Sequence, residues 1–267
     1  MKGKLETQEN RPRVEEELES AGITNLRTYV ETQWKGRSYR FVPEIEITVD
    51  LPAEKKGVHM SRLVESITEI LEEETLESHR SIEELERKIL ERLEKKHPHR
   101  KSRISMKTQL VVHRKTPVTK KTSMETHDIE VEVIKQNGEY RKLLRVKVTG
   151  NTVCPHALKN NDGKTHIQRA DATLEVDTGY DNNIELEDMI STVEGCFCSP
   201  VYTLLKTEDE NEVIQKLYAN PMFVEDVCRK IIHETKKRYK KSGIKATVIS
   251  QESIHRHNVK AEAVAKT

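Results

Sequence analysis

The chain has 267 residues, and its 46 Lys and Arg nearly cancel its 45 Asp and Glu. That balance leaves no global field to draw it to nucleic acid or to anionic lipid, so neither partner is expected, and any anionic ligand must meet a local cluster of cations. Charged residues make up 34% of the chain and aromatics 4%, which suits an ion-paired surface of the kind met in heat-stable proteins, and no apolar run reaches the roughly 20 residues of a membrane helix.

The length allows one large domain or two ordinary ones with a substantial core. Met1 to Arg13 are polar and lack the apolar centre of a signal peptide. A cytoplasmic protein is therefore expected. Its four cysteines (Cys154, Cys196, Cys198 and Cys228) are then reduced thiols or metal ligands rather than disulfides.

Residues 1–25 read as a polar lead-in with at most one short helix. A strand is expected over Leu26 to Trp34, and a second one alternates at Ile45, Ile47, Val49 and Leu51, the period of a half-buried strand. Met60, Leu63, Val64, Ile67 and Leu71 share a helical face. The next helix carries Ile82, Leu85, Ile89 and Leu93, with Ser81 as N-cap ahead of Glu84. Pro98 ends it, and strands are expected at Ile104 to His113 and Ile129 to Ile134.

The order then repeats. Strands are expected over Leu143 to Thr149 and Ile167 to Val176, helices over Ile184 to Val193 and Pro221 to Tyr239, and a closing strand over Ala246 to Ser250. Residues 26–136 and 137–267 thus read as two modules alike in order, not in sequence. Helices grouped rather than alternating with single strands predict an α+β fold, an antiparallel sheet covered on one face. Open edges on such a sheet predict pairing with further copies, a homo-oligomer.

The segment Val148-Thr-Gly-Asn-Thr-Val-Cys-Pro-His-Ala157 places Cys154 just past a strand, and Thr165-His-Ile-Gln-Arg169 opens the next one with His166. A loop thiolate and an imidazole at the ends of adjacent strands are a start for a zinc or iron site. Spacing alone favours the plainer reading, a buried thiol and a surface histidine. Further segments bear on that choice: Thr192 to Glu210, dense in polar ligand types; Asn220-Pro-Met-Phe-Val-Glu-Asp226 at a helix start; and Glu252-Ser-Ile-His255 after the last strand.

Together with Lys56-Gly-Val-His-Met-Ser-Arg62 and the Asp209-Glu210 corner, these motifs resemble those of the metal-dependent GTP cyclohydrolases of type IB, most closely the archaeal, iron-dependent branch of methanopterin biosynthesis. They run in the same order from the first helix to the last strand. The resemblance implies tandem tunnelling-fold modules, each of two strands, two helices and two strands. It implies a metal held by Cys154, His166 and Glu210, with ferrous iron as the cofactor and zinc or manganese as substitutes. It places Glu225 as the guanine anchor and Glu252 and His255 as a catalytic pair.

The chemistry asks for those residue types. Opening the imidazole ring of GTP adds water at C8, breaks a C–N bond and releases formate. A divalent metal lowers the pKa of bound water toward neutrality, and a histidine can protonate the ring nitrogen as the bond breaks. A carboxylate accepts side by side from guanine N1–H and the 2-amino group, a pair that adenine does not offer. The triphosphate needs cations; Arg114, Lys115, Lys120 and Lys121 form the densest basic stretch, beside a loop expected over Thr116 to Glu125. Gln168, Arg169 and His59 join the substrate contacts by their place in the motifs.

Where bacterial relatives often carry a second cysteine two residues after the first, this chain has His156. It is a ligand, a proton donor or a mark of the archaeal branch. The product implied is 7,8-dihydroneopterin 2',3'-cyclic phosphate for tetrahydromethanopterin. The alternatives are the bacterial product, dihydroneopterin triphosphate, or an inactive purine- or pterin-binding protein of the same fold. Other features have plainer readings: Cys196, Cys198 and Cys228 as packing thiols, Glu72 to Glu74 and Lys236 to Arg238 as solvated faces, and His97 and His99 as linker residues.

Overall fold

The computed structural model describes residues 7–34, 37–74 and 81–267, so the first six residues of the expected lead-in lie outside it. Two compact units emerge: 1–108 with 130–142, and 109–129 with 143–267. The chain passes between them along its long strands, whereas the sequence reading placed one cut after Gln136.

In the first unit a 3-10 turn (Thr7–Glu9) precedes β1 (Leu18–Arg27), β2 (Val30–Trp34), β3 (Arg37–Phe41) and β4 (Glu44–Leu51). Helices α1 (Met60–Glu74) and α2 (Ile82–Lys96) follow, then β5 (Lys101–Lys115), β6 (Thr122–Gln136) and β7 (Glu139–Val153). Part of the expected lead-in is therefore strand: β1 pairs antiparallel with β4. It escapes a periodicity reading because it is an edge whose side chains are mostly solvated. Gly22 permits the pairing, since a Cβ there would meet the Ile47 carbonyl oxygen at 2.1 Å. The strand expected over Leu26 to Trp34 divides, and β2 with β3 forms a hairpin of its own.

Ile45, Ile47 and Val49 of β4 are buried, as their alternation predicts, and so are Leu85, Ile89 and Leu93 of α2. Ser81 caps α2 by accepting from the Glu84 amide at 3.2 Å. On α1 the buried face is Leu63, Ser66, Ile67 and Ile70, while Met60 and Val64 are exposed. The observed stripe is therefore rotated from the expected one by about 65°, roughly two-thirds of a residue step at 3.6 residues per turn.

The second unit takes the remaining parts of β5, β6 and β7 and adds α3 (Pro155–Asn160), β8 (Ile167–Gly179), α4 (Leu186–Glu194) and β9 (Ser199–Pro200). It closes with α5 (Thr207–Ala219), α6 (Val224–Arg238), β10 (Ser242–Ser250) and β11 (Val259–Lys266). Its strand order is β5-β6-β7-β8-β10-β11, with β9 on β7. Helix α6 lies against β10 and β11, burying Val227 and Ile231, while Phe223 is exposed rather than inward. Four elements were not expected. The short α3 lies in a turn-rich loop, β9 is only two residues long, α5 has few apolar residues, and β11 alternates on small alanines. Among the described residues no helix is long and apolar enough to cross a membrane.

Candidate metal and substrate site

The strand β7 ends at Val153, and Pro155, which has no amide hydrogen to donate, turns the chain into α3. Cys154 is the N-cap. Its Sγ, half-buried, accepts from the Ala157 amide at 3.3 Å. The loop then returns on itself: the Cys154 amide donates to the His166 carbonyl at 3.4 Å, and Thr165 Oγ1 donates to the Cys154 carbonyl at 2.9 Å. Asp162 and Gly163 make that return in left-handed backbone (φ 50° and 78°), which Gly accepts freely and Asp better than most. Thiol and imidazole thus start from paired backbone positions.

A small apolar core lies beneath this corner. Val153, Cys198 and Leu217 are buried, with Ile167, Val213 and Met222 packed against them. It joins the end of β7, the start of β8, the middle of α5 and the turn before α6. Those are the four segments that carry Cys154, His166, Glu210 and Glu225. Glu210 and Glu225 each occupy the first turn of their helix and face solvent. The chain reaches this core through a close approach at β7, where a Cβ on Gly150 would overlap the buried Phe197 ring at 2.2 Å. Burial pushes the Cys196 thiol up to about 11 and raises those of Cys198 and Cys228. These three are packing thiols.

A hydrogen-bonded line runs back from His166. Its Nδ1 lies 2.9 Å from Gln168 Oε1, and Gln168 Nε2 donates to Glu252 Oε1 at 3.5 Å. Ser250 Oγ donates to the same oxygen at 2.7 Å and lies 3.5 Å from Thr152 Oγ1. Ser253 Oγ is 3.5 Å from His166 Nδ1. His255 and His257 are exposed beyond this line, their rings stacked at 5.2 Å. His156 is exposed on α3 beside Asn160, and Arg169 is exposed.

The turn between β5 and β6 spans residues 116–121, so the loop is shorter than expected and Thr122 to Glu125 are strand. Asp209, fully buried, fastens it: Oδ1 accepts from the Val118 and Thr119 amides at 2.9 Å, and Oδ2 from Thr119 Oγ1 at 2.6 Å and the Lys206 amide at 3.1 Å. The start of α5 and the turn bearing Lys120 and Lys121 are thereby locked together. Both lysines are exposed, Lys120 donating to the Pro117 carbonyl at 2.7 Å. Arg114 is not available to phosphate in the same way, for Glu194 and Ser191 take its guanidinium. In the first unit, His59 is buried, bonded to Glu9 at 3.0 Å and edge-on to His97 at 6.0 Å.

Among the described residues no three His, Cys, Asp or Glu side chains stand close enough to hold a metal ion. The fold pairs Cys154 with His166 and seats the helix of Glu210 on the same core, without closing the three on one point. As a donor set, a thiol, an imidazole with one nitrogen engaged and a solvent-facing carboxylate fit a borderline divalent ion.

Residues 5–261 match the family described as type I GTP cyclohydrolase folE2. The chain belongs to this family. The cyclohydrolase is 55% identical over 263 residues to GTP cyclohydrolase MptA of Thermococcus kodakarensis, covering 97% of this chain and 98% of that one. It is 52% identical to the MptA of Pyrococcus furiosus (98% and 99% covered) and 31% identical to that of Methanothermobacter thermautotrophicus (97% and 92%). Its fold is similar to uricase from Arthrobacter globiformis, with a TM-score of 0.54 at 10% identity over 93% of each chain, and to a hyper-thermostable AgUricase mutant (0.55, 9%, 94% and 92%). The architecture is the tunnelling fold, α+β with a large antiparallel sheet.

The sequence pointed to the corner, the start of α6 and the basic turn of the cyclohydrolase, but it read the start of α5 as part of a link between helices. It gave no role to Ser250 and Thr152, whose hydroxyls complete the line to Glu252, and it named Asp209 within a motif without its anchoring role. Thr152 lies within the quoted Cys154 segment and Ser250 ends the strand before Glu252, and those positions were the one available signal.

Proposed function

We propose that this cyclohydrolase opens the imidazole ring of GTP, releases C8 as formate and yields 7,8-dihydroneopterin 2',3'-cyclic phosphate for tetrahydromethanopterin synthesis in the cytoplasm. The observation that carries the reading is the backbone pairing of Cys154 with His166 over a core that also seats the helices of Glu210 and Glu225. The 52–55% identity to relatives named GTP cyclohydrolase MptA supports the archaeal outcome.

Cys154, His166 and Glu210 would hold the metal, ferrous iron by preference. When bound, it supplies Lewis-acid activation of water near neutral pH. Glu225, open to solvent at the start of α6, accepts from guanine N1–H and the 2-amino group. Lys120 and Lys121 meet the phosphates from a turn that Asp209 holds rigid. His255 delivers a proton to the ring nitrogen as the C–N bond breaks, with Glu252 behind it. Strands β1 and β11 each pair along one side only among the described residues, and such edges support assembly into a homo-oligomer.

Protein purified without oxygen, stripped by chelator and reloaded separately with iron, manganese and zinc tests the reading. The expected result is pterin formation from GTP, best with iron, with the mass of the cyclic phosphate. The triphosphate mass would replace the product assignment. Absence of any pterin would overturn the reading.

A further inference from the structure

We infer that Gln168 is a positioning residue that fixes the tautomer of His166, so that Nε2 presents the lone pair to a metal ion. The inference rests on the metal role proposed for His166. It follows from the direction of each hydrogen bond in turn. An ionised carboxylate only accepts. Glu252 Oε1 takes the Ser250 hydroxyl at 2.7 Å and, more loosely, the Gln168 amide nitrogen at 3.5 Å. The NH2 end of Gln168 therefore faces Glu252, and its carbonyl end must face the other way. There it lies 2.9 Å from His166 Nδ1.

A carbonyl oxygen also only accepts, so the proton of the neutral imidazole sits on Nδ1 and Nε2 is left bare. The Ser253 hydroxyl, 3.5 Å from Nδ1, can share that proton as a second acceptor without changing its place. Ser250 is buried, and Glu252, Gln168 and His166 are half-buried, so the inner end of the line lies away from bulk water. Partners of this kind behind a ligating histidine set ring orientation and ligand basicity. Gln168 has both ends of its amide engaged, and this separates it from a residue held ready for guanine.

The test uses the full chain, metal-free and without GTP. A long-range proton–nitrogen correlation spectrum of isotope-labelled protein, recorded where the imidazole is neutral, reads the tautomer of His166 directly. The parent is expected to carry its proton on Nδ1; a proton on Nε2 would overturn the inference with no variant needed. In Gln168→Leu, with unchanged far-ultraviolet dichroism, the bias should relax. Its affinity for cobalt(II) should fall about 10–100-fold, with a shifted visible band. An unchanged cobalt affinity with only a raised KM for GTP would make Gln168 a substrate contact and refute the positioning role. Failure of the GTP reading would look different: no pterin from the iron-loaded parent, with the ring spectrum unaffected.

Discussion

Asp209 grips Thr119 at two points, accepting its amide at 2.9 Å and its hydroxyl at 2.6 Å. Burial alone would push this carboxyl up, but the Thr119 hydroxyl and the Thr119, Val118 and Lys206 amides outweigh it and hold it well below the usual carboxylate range. A depressed folded value means that the stability it contributes is present above about 3.8 and is lost as pH falls below that. Asp209→Asn turns an NH2 group toward one of the two donor pairs. It should lower Tm, flatten the acid limb of the stability curve and raise KM for GTP several-fold through the Lys120–Lys121 turn. Calorimetry across pH and steady-state kinetics check it, and an unchanged KM would separate that turn from the phosphates.

Glu86 of α2 is fully buried and neither carboxylate oxygen has a hydrogen-bond partner among the described residues. Burial, then Glu83 and Glu132, push its carboxyl well above the usual range, and the nearby Met106 backbone offsets this only in part. A raised folded value costs nothing below the ordinary 4.5 and costs more as pH rises past it, since only the unfolded chain ionises freely. Glu86→Leu should therefore stabilise the protein at neutral pH by about 1–3 kcal/mol, the cost of an unsatisfied buried polar group. It should also lessen the decline toward alkaline pH. Denaturant midpoints at several pH values check this, and a variant less stable at every pH would count against it.

Glu225 and His255 should separate binding from chemistry. Glu225→Gln puts a donor where guanine donates, and it should weaken GTP binding by about 2–4 kcal/mol. His255→Ala should leave metal and nucleotide binding near the parent level and lower turnover by about 10²–10⁴-fold. Calorimetric titration with GTP and single-turnover rates distinguish the two. Loss of metal in His255→Ala would move that residue into the ligand set and His156 into the donor role.

What was legible in the sequence follows from where each physical signal resides. Ile45, Ile47 and Val49 alternate because β4 faces one core, and Leu85, Ile89 and Leu93 repeat because α2 does. β1 and β11 are edges, the first with mostly solvated side chains and the second alternating on small alanines rather than large apolar residues, so both escaped. α5 is held by Leu217 and Val213 against the site core and by Asp209, not by a broad apolar stripe. The pairing of Cys154 with His166 was legible from their motifs. The line through Gln168, Ser250 and Thr152 was not, because it is made of hydrogen-bond directions between strands far apart in the chain.

In the proposed reaction, ring opening depends on the metal held at the Cys154 corner. Formate released from C8 of labelled GTP measures this most directly, assayed without oxygen on the iron-loaded parent, the chelated parent and Cys154→Ala. The iron-loaded parent should give formate and pterin in equal amounts, and the chelated parent neither until iron is restored. Cys154→Ala should bind no iron and release no formate while keeping its fold, because the thiol caps a loop rather than filling the core. Full formate release by rigorously metal-free protein, or by Cys154→Ala, would contradict the account.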